Sequence, residues 1–231
     1  MSILAIIPAR GGSVGLKNKN MYLLNGQPLL SYTILAAKKT KLIDRIIVSS
    51  DSKKILDFSK KNLVEAIKRP KNISGSKSTS YQAVMHCLNY LKKNENYVPD
   101  IILILQPTSP LRNSKHISKA IKIFLKDKQA NSLVSCVKVP HNFHPVSLMK
   151  ENNKGYLIDF LKEKKKIFRR QDKGSLFARN GAGIYIIKNS HISKFLFGGK
   201  IIKFLMNEES SVDIDSLEDI KKAEIILKKI K

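Results

Sequence analysis

The sequence predicts an α/β fold built on a doubly wound, mostly parallel sheet, and three observations carry that expectation. Apolar runs of strand length recur through the first 139 residues. Segments with apolar residues three and four apart separate them, and turn-forming residues punctuate the joins. Strands joined by crossover helices produce this rhythm. At 231 residues the chain can bury a substantial core, as one large domain or as one domain carrying an excursion.

The elements follow in order. Ile3 to Ala9 is an uninterrupted apolar run, short enough for one central strand buried on both faces. Further strands are expected at Ile43 to Ser49, Leu63 to Ala66, Ile101 to Leu105 and Leu133 to Val139. Between them, Leu29 to Lys39, Ser52 to Lys60, Ser80 to Lys92 and Ser114 to Lys126 have helical periodicity, with Ser114 a candidate N-cap. After Pro140 the pattern breaks: Pro140-His141-Asn142-Phe143-His144-Pro145 and Asn152-Asn153-Lys154-Gly155 are turn-rich, so residues 140–179 read as an excursion. Strand character returns at Gly183 to Lys188 and Ile201 to Met206, and a helix from Leu217 to Lys229 follows. There is no internal repeat, and low complexity amounts to a lysine bias.

A formal net charge of +25 raises the question of a nucleic-acid partner, because such a chain gathers polyphosphate and releases counterions on binding. Its distribution argues against one. Lysines occur on most presumptive helix faces rather than along one basic stripe interleaved with aromatics. The densest cluster, Lys162, Lys164, Lys165, Lys166, Arg169 and Arg170, suits a solvated helix face or the edge of an anionic-ligand site. Cys87 and Cys136 lie in apolar stretches and read as small buried residues of a reducing compartment. No apolar run approaches the roughly 18 residues of a membrane span, and the amino end has no secretory leader pattern. The expectation is a soluble, cytoplasmic protein without a membrane partner.

The chemistry is expected to start where the first strand ends. Arg10-Gly11-Gly12-Ser13, with Gly15, Lys17, Lys19 and Asn20, forms a Gly-rich basic turn whose backbone can pass close to phosphate oxygens. It is not a Walker A loop, since Gly15 is followed by Leu16 rather than Lys, and the spacing of Gly11, Gly12 and Gly15 misses the dinucleotide fingerprint. An ordinary strand-to-loop turn with solvated lysines is the alternative.

Asp213-Ile214-Asp215 puts two carboxylates on one face of an extended segment. Paired hard oxygens suit Mg²⁺, which takes one or two carboxylates plus substrate phosphate oxygens. The same residues equally suit the acidic start of the last helix, with Ser216 as its cap. Gln106-Pro107-Thr108-Ser109-Pro110-Leu111-Arg112 follows directly on a strand, so it makes a rigid polar ledge at a carboxyl end. Gln106 can hydrogen-bond a polyol or a base edge, and Arg112 holds either a carboxylate or its own loop. His141 and His144 lack a second ligand pair for a metal site. Nothing in the sequence pairs a Ser with these His residues, so hydrolase chemistry has no support.

Taken together, Ile6 to Ser13, Lys19-Asn20, Leu105 to Arg112, Arg170-Gln171, Asn180-Gly181-Ala182 and Asp213-Ile214-Asp215 resemble the acylneuraminate cytidylyltransferases, over residues 3 to about 228. The resemblance implies a nucleotide-diphospho-sugar transferase-like fold forming one cytidylyltransferase domain over 1–231. It also implies transfer of CMP from CTP to the anomeric hydroxyl of a nonulosonic (sialic acid-like) sugar, with release of pyrophosphate. Arg10, Lys19 and Mg²⁺ on Asp213 and Asp215 would then serve catalysis, and Arg10, Gly11, Ser13, Lys19, Asn20 and Ser80 the nucleotide. Gln106, Arg170 and Asn180 would serve the sugar, and residues 140–179 would be a homodimer-forming arm. The chain departs from the family pattern at Val14 and Ser147, where lysines are usual, and at Ala178, where an arginine is usual. An activator of a different keto acid such as Kdo, or a weakened polyanion-binding homologue, are the rival readings.

Overall fold

A computed structural model of the chain describes residues 1–13, 15–161, 169–181, 183–193 and 195–230, without the side chains of Arg170 and Ile230. Val14, Ala182 and the lysines at 162, 164, 165 and 166 lie outside the described residues.

In chain order the elements are β1 (Ile3–Pro8), β2 (Leu23–Leu24), β3 (Gln27–Pro28), α1 (Leu29–Lys38), β4 (Arg45–Ser50), α2 (Lys53–Lys61) and β5 (Glu65–Lys68). Then come α3 (Ser80–Glu95), β6 (Ile101–Ile104), α4 (Ser114–Lys126), β7 (Ser132–Lys138), β8 (Met149–Glu151), β9 (Leu157–Asp159), β10 (Phe177–Arg179), β11 (Tyr185–Lys188), β12 (Ile201–Leu205) and α5 (Leu217–Ile230). The main sheet runs β5-β4-β1-β6 in parallel. Next to β6 lies β11, antiparallel to it and to β7; β10 pairs with the far half of β7, and β12 runs parallel to β7.

The continuous apolar run of β1 has its explanation in this central place. Ile3, Ala5 and Ile7 face a core shared with Leu30 and Ile34 of α1, Ile55 of α2 and Ile117, Ile121 and Phe124 of α4. Leu4 and Ile6 face the opposite core, with Val84, Cys87 and Leu91 of α3. Covering both faces removes the need for alternation, and each buried Ile or Leu contributes roughly 1.5–3 kcal/mol. A third cluster joins α5 to Leu24, Leu29 and Leu111 through Val212 and Ile214, which ties the Asp213 segment to the rest of the fold.

Two sequence expectations are corrected. The strand placed at Leu63 to Ala66 lies at Glu65–Lys68, because Leu63 adopts a left-handed conformation (φ 56°) that ends the α2 turn and leaves its side chain exposed. The cap of α4 is Asn113 rather than Ser114: its side chain accepts from the His116 amide at 3.0 Å, and His116 Nδ1 accepts in return from the Asn113 amide. Within residues 140–179, β8 and β9 form a separate antiparallel hairpin, whereas Phe177–Arg179 already belong to the main sheet. Among the described residues no helix is long and apolar enough to cross a membrane.

Candidate active site

Parallel sheets leave a crevice at the carboxyl ends of their strands, and the loops after β1, β5 and β6 converge there with the Asp213 segment. The first loop is held by main-chain contacts. Gly11 donates its amide to Asp51 Oδ1 at 2.8 Å, and Asn20 Nδ2 donates to the Arg10 carbonyl at 2.8 Å. A Cβ on Gly15 would lie 2.7 Å from the Asp215 carbonyl oxygen, so only glycine lets the loop touch the acidic segment. Lys19 crosses the same gap with its ammonium 2.7 Å from Asp215 Oδ1. The amino-terminal basic turn and the acidic pair, almost 200 residues apart, therefore form one site.

The two readings of the acidic pair separate here. Ser216 and Asp219 cap the last helix between them: Asp219 Oδ2 accepts from the amides of Asp215 and Ser216, and Ser216 Oγ accepts from the Asp219 amide. Asp213 and Asp215 are left to the cavity. Among the described residues Asp213 Oδ1 is buried without a hydrogen-bond partner, and Gly181 packs so closely that a Cβ there would lie 2.8 Å from Asp213 Oδ2. Burial raises the Asp213 carboxyl above its ordinary value, with the Asp215 charge adding to this, while the Thr108 hydroxyl and the Lys19 charge pull it back. A half-buried carboxylate with an unpartnered oxygen beside a second carboxylate is chemically suited to a hard divalent cation. Among the described residues no cluster of three or more acidic, His or Cys groups able to hold a metal occurs, so the protein's share of such a site is this pair.

These groups line a cavity of about 330 Å³ together with Pro8, Arg10, Ser13, Asn20, Arg69, Ser80 and Gln106. Arg10 donates from Nη1 to the Gly75 carbonyl at 2.9 Å, which draws the 75–76 loop over the crevice. Gln106 Nε2 donates to Ser80 Oγ at 3.1 Å, linking the ledge after β6 to the start of α3. That helix start is fixed by a capping box in which Thr79 and Gln82 exchange hydrogen bonds.

Arg69 was not singled out from the sequence. It is 5% exposed and donates to the carbonyl and hydroxyl oxygens of Ser49. Burial lowers its guanidinium below the ordinary arginine range, with Cys87 and Asp51 pulling it back up and Arg10 pushing it further down. An anion entering the cavity would restore what burial removes. The signal was its place directly after β5, at a strand's carboxyl end.

A second cavity of about 470 Å³ shares Thr79, Ser80 and Gln106 with the first and is closed by Arg179, Tyr185 and Phe197. The Arg179 guanidinium lies 4.8 Å over the Phe197 ring and donates to the Tyr185 hydroxyl at 3.4 Å. From the sequence only Tyr185 fell in an expected strand, Arg179 closed the 140–179 excursion and Phe197 belonged to no expected element, so the cavity went unforeseen.

Not every expected residue faces a cavity. Gly11 has its amide engaged by Asp51 and lines neither cavity. Asn180 is buried: its Oδ1 accepts from Ser135 Oγ at 2.6 Å and its Nδ2 donates to Ser211 Oγ at 2.8 Å, so its polar atoms are engaged in joining β7 to the 207–211 turn. Arg170 opens a short helical turn in the excursion, and its side chain is outside the described residues.

The chain is 32% identical over 237 residues to an N-acylneuraminate cytidylyltransferase of Escherichia coli, covering 98% of this chain and 52% of that protein. The chain thus spans about half the length of that relative. It is 29% identical over 230 residues to a pseudaminic acid cytidylyltransferase of Campylobacter jejuni, covering 99% and 97% of the two chains. A solved CMP:2-keto-3-deoxy-manno-octonic acid synthetase complexed with CTP superposes with a TM-score of 0.71 at 13% identity over the whole of both chains, a likeness of fold. The cytidylyltransferase family model matches residues 4–229, and the chain belongs to that family.

Proposed function

We propose that this protein transfers the cytidylyl group of CTP to the anomeric hydroxyl of a nine-carbon 2-keto acid sugar and releases pyrophosphate. The observation that carries this reading is the meeting of Lys19 and Asp215 at 2.7 Å beside the unpartnered Asp213 oxygen, in a cavity that also holds Arg10 and Arg69.

Cytidylyl transfer asks the protein mainly for positioning and for neutralising charge that spreads onto the phosphates and leaving group. Arg10 and Lys19 supply positive charge on the phosphate side. Arg69, Ser80 and Asn20 form the wall for the nucleoside, and Ser13 adds a hydroxyl at the loop. Gln106, which reaches both cavities, orients the acceptor, and Arg179 at the mouth of the second cavity suits the acceptor's carboxylate. Asp213 and Asp215 would hold Mg²⁺, which when bound supplies neutralisation of the triphosphate. The half-apolar second cavity, with Phe197 and Tyr185, fits the acyl-substituted face of a nonulosonic acid better than a bare eight-carbon acid.

We also propose a homodimer working in the cytoplasm. The β8–β9 hairpin exposes Met149, Tyr156, Leu157, Ile158 and, just beyond it, Phe160, an apolar surface that a second copy of the arm would cover.

The test is a pyrophosphate-release assay with CTP, ATP and UTP across sialic, legionaminic, pseudaminic and eight-carbon keto acids. CTP-dependent release with a nine-carbon acid, abolished in Asp215→Ala, is the expected result; unchanged turnover in that variant would overturn the metal assignment. Steeply salt-dependent nucleic-acid binding without CTP turnover would favour the polyanion reading.

A further inference from the structure

Arg112 is a buried cation that the proposed chemistry does not use. It is 1% exposed, no carboxylate pairs with it among the described residues, and its Nε has no partner. A buried charge without a counterion is costly, so its neutral contacts indicate what it holds. Nη1 donates to two carbonyl oxygens, Gln106 at 3.1 Å and Gly183 at 2.8 Å, and Nη2 donates to Thr33 Oγ1 at 2.5 Å. Those three acceptors lie on separate elements: the ledge after β6, the turn before β11, and α1.

The two carbonyls sit side by side where β6 and β11 run on past their pairing, since the register that sets Ile104 against Tyr185, continued by two residues, sets Gln106 against Gly183. Gln106 lines the second cavity, and Gly183 lies in sequence between Gly181 and Tyr185, which line it too. Gly181 also packs on Asp213. We infer that Arg112 is a positioning residue that holds the adjoining ends of β6 and β11, and with them Gln106, in place at the acceptor cavity by clamping the Gln106 and Gly183 carbonyls on one guanidinium nitrogen. This rests on the acceptor reading of that cavity. A lysine offers no planar fork and cannot reproduce all three contacts, whereas it keeps the charge. Gln106 lines the first cavity as well, but Arg10, Lys19, Arg69 and Asn20, which supply most of that cavity's polar groups, make no bond to Arg112. Its loss should therefore fall on the acceptor rather than on CTP.

The experiment compares wild type, Arg112→Lys and Arg112→Met by hydrogen exchange, calorimetric CTP binding and steady-state kinetics. In Arg112→Met, amide exchange should quicken together in segments 106–109 and 179–185. The KM for the keto acid should rise by about tenfold or more while CTP affinity stays within about threefold, the cost of a misplaced acceptor. Arg112→Lys should recover part of both effects, and it carries the same readouts if the Met variant does not fold. Unchanged exchange in the two segments, or CTP affinity falling as far as the acceptor KM rises, would overturn the clamp. A wild type inactive with every keto acid would remove the functional reading, and the exchange comparison would still decide the clamp.

Discussion

Replacing Asp213 by Asn should make the protein more stable and less active, because the residue's cost and its use come from the same oxygen. Oδ1 is buried and unpartnered, and the carboxyl is raised above its usual 3.8 by burial first, with the Asp215 charge contributing. A buried group left unsatisfied costs about 1–3 kcal/mol, at the upper end when charged. Asn is isosteric and carries no charge, so the part of that cost due to the charge disappears, while a neutral polar atom stays unpartnered. For a chain of this size each kcal/mol moves the melting temperature by about 2–4 °C, so a net relief of about 1 kcal/mol places the gain at roughly 2–4 °C. The pH dependence follows from the direction of the shift. Above the raised value both folded and unfolded chains carry the charged carboxyl, and the folded chain bears the cost; as pH falls through the raised value the folded wild type takes up a proton and the cost is relieved. The advantage of the Asp213→Asn variant should thus be largest near neutral pH and vanish below 3.8. Thermal melts with chelator, near neutral pH and at about pH 5, check this. Adding CTP with Mg²⁺ should raise the wild type more than the variant, which lacks one of the two carboxylates proposed to hold the metal. A variant less stable than wild type at neutral pH, or an advantage independent of pH, would refute the reasoning.

Three further outcomes are expected. Lys19→Met removes an ion pair whose Asp215 side chain is 76% exposed, so stability should change by about 0–1 kcal/mol in melts, while turnover in the pyrophosphate assay falls by about 10²–10³. Gly181→Ala forces a Cβ into a left-handed position (φ 65°) against the Asp213 carboxylate; it should lose about 1–2 kcal/mol to backbone strain alone, read in melts, and lose turnover as Asp213 is displaced. Leu157→Glu puts a charge on the exposed β8–β9 hairpin and should convert a sedimenting dimer to a monomer without changing the melting of a dilute sample.

The parts of this fold that were legible from sequence are those set by local periodicity. The β1 run, the four helices between strands and the break after Pro140 each carry their signal within ten or so residues. Less legible were features created by distant contacts. Arg69 sits in a lysine-rich stretch and looks like one more solvated cation; only its bonds to Ser49, twenty residues away, reveal a buried side chain at the cavity. Asn180 drew attention only through the likeness of Asn180-Gly181-Ala182 to the family pattern, yet Ser135 and Ser211 engage it, and neither neighbour is near in sequence. The aromatic wall of the second cavity carries no local mark, since Tyr185 has the pattern of a strand residue. The choice between cap and site for the acidic pair was open to a closer reading, because Ser216 and Asp219 have capping-box spacing.

That division of labour also explains how a chain with a net charge of +25 can keep an acidic pair available. The frame of the site is made of bonds to main-chain groups: Gly11 to Asp51, Asn20 to Arg10, Ile214 to the Thr108 carbonyl at 2.8 Å, and Arg112 to Gln106 and Gly183. These interactions fix where the loops lie without making the frame depend on pairing the charges inside the cavity. The groups left over, Asp213 with its unpartnered oxygen and Arg69 with its hydrogen bonds to the neutral oxygens of Ser49, are charges already desolvated and oriented before any ligand arrives. Electrostatic stabilisation of a transferring phosphoryl group is strongest under those conditions, because the reorganisation is complete before the reaction begins. The folded chain bears that cost continuously at Asp213, so neutralising that carboxylate should increase stability and reduce catalysis together.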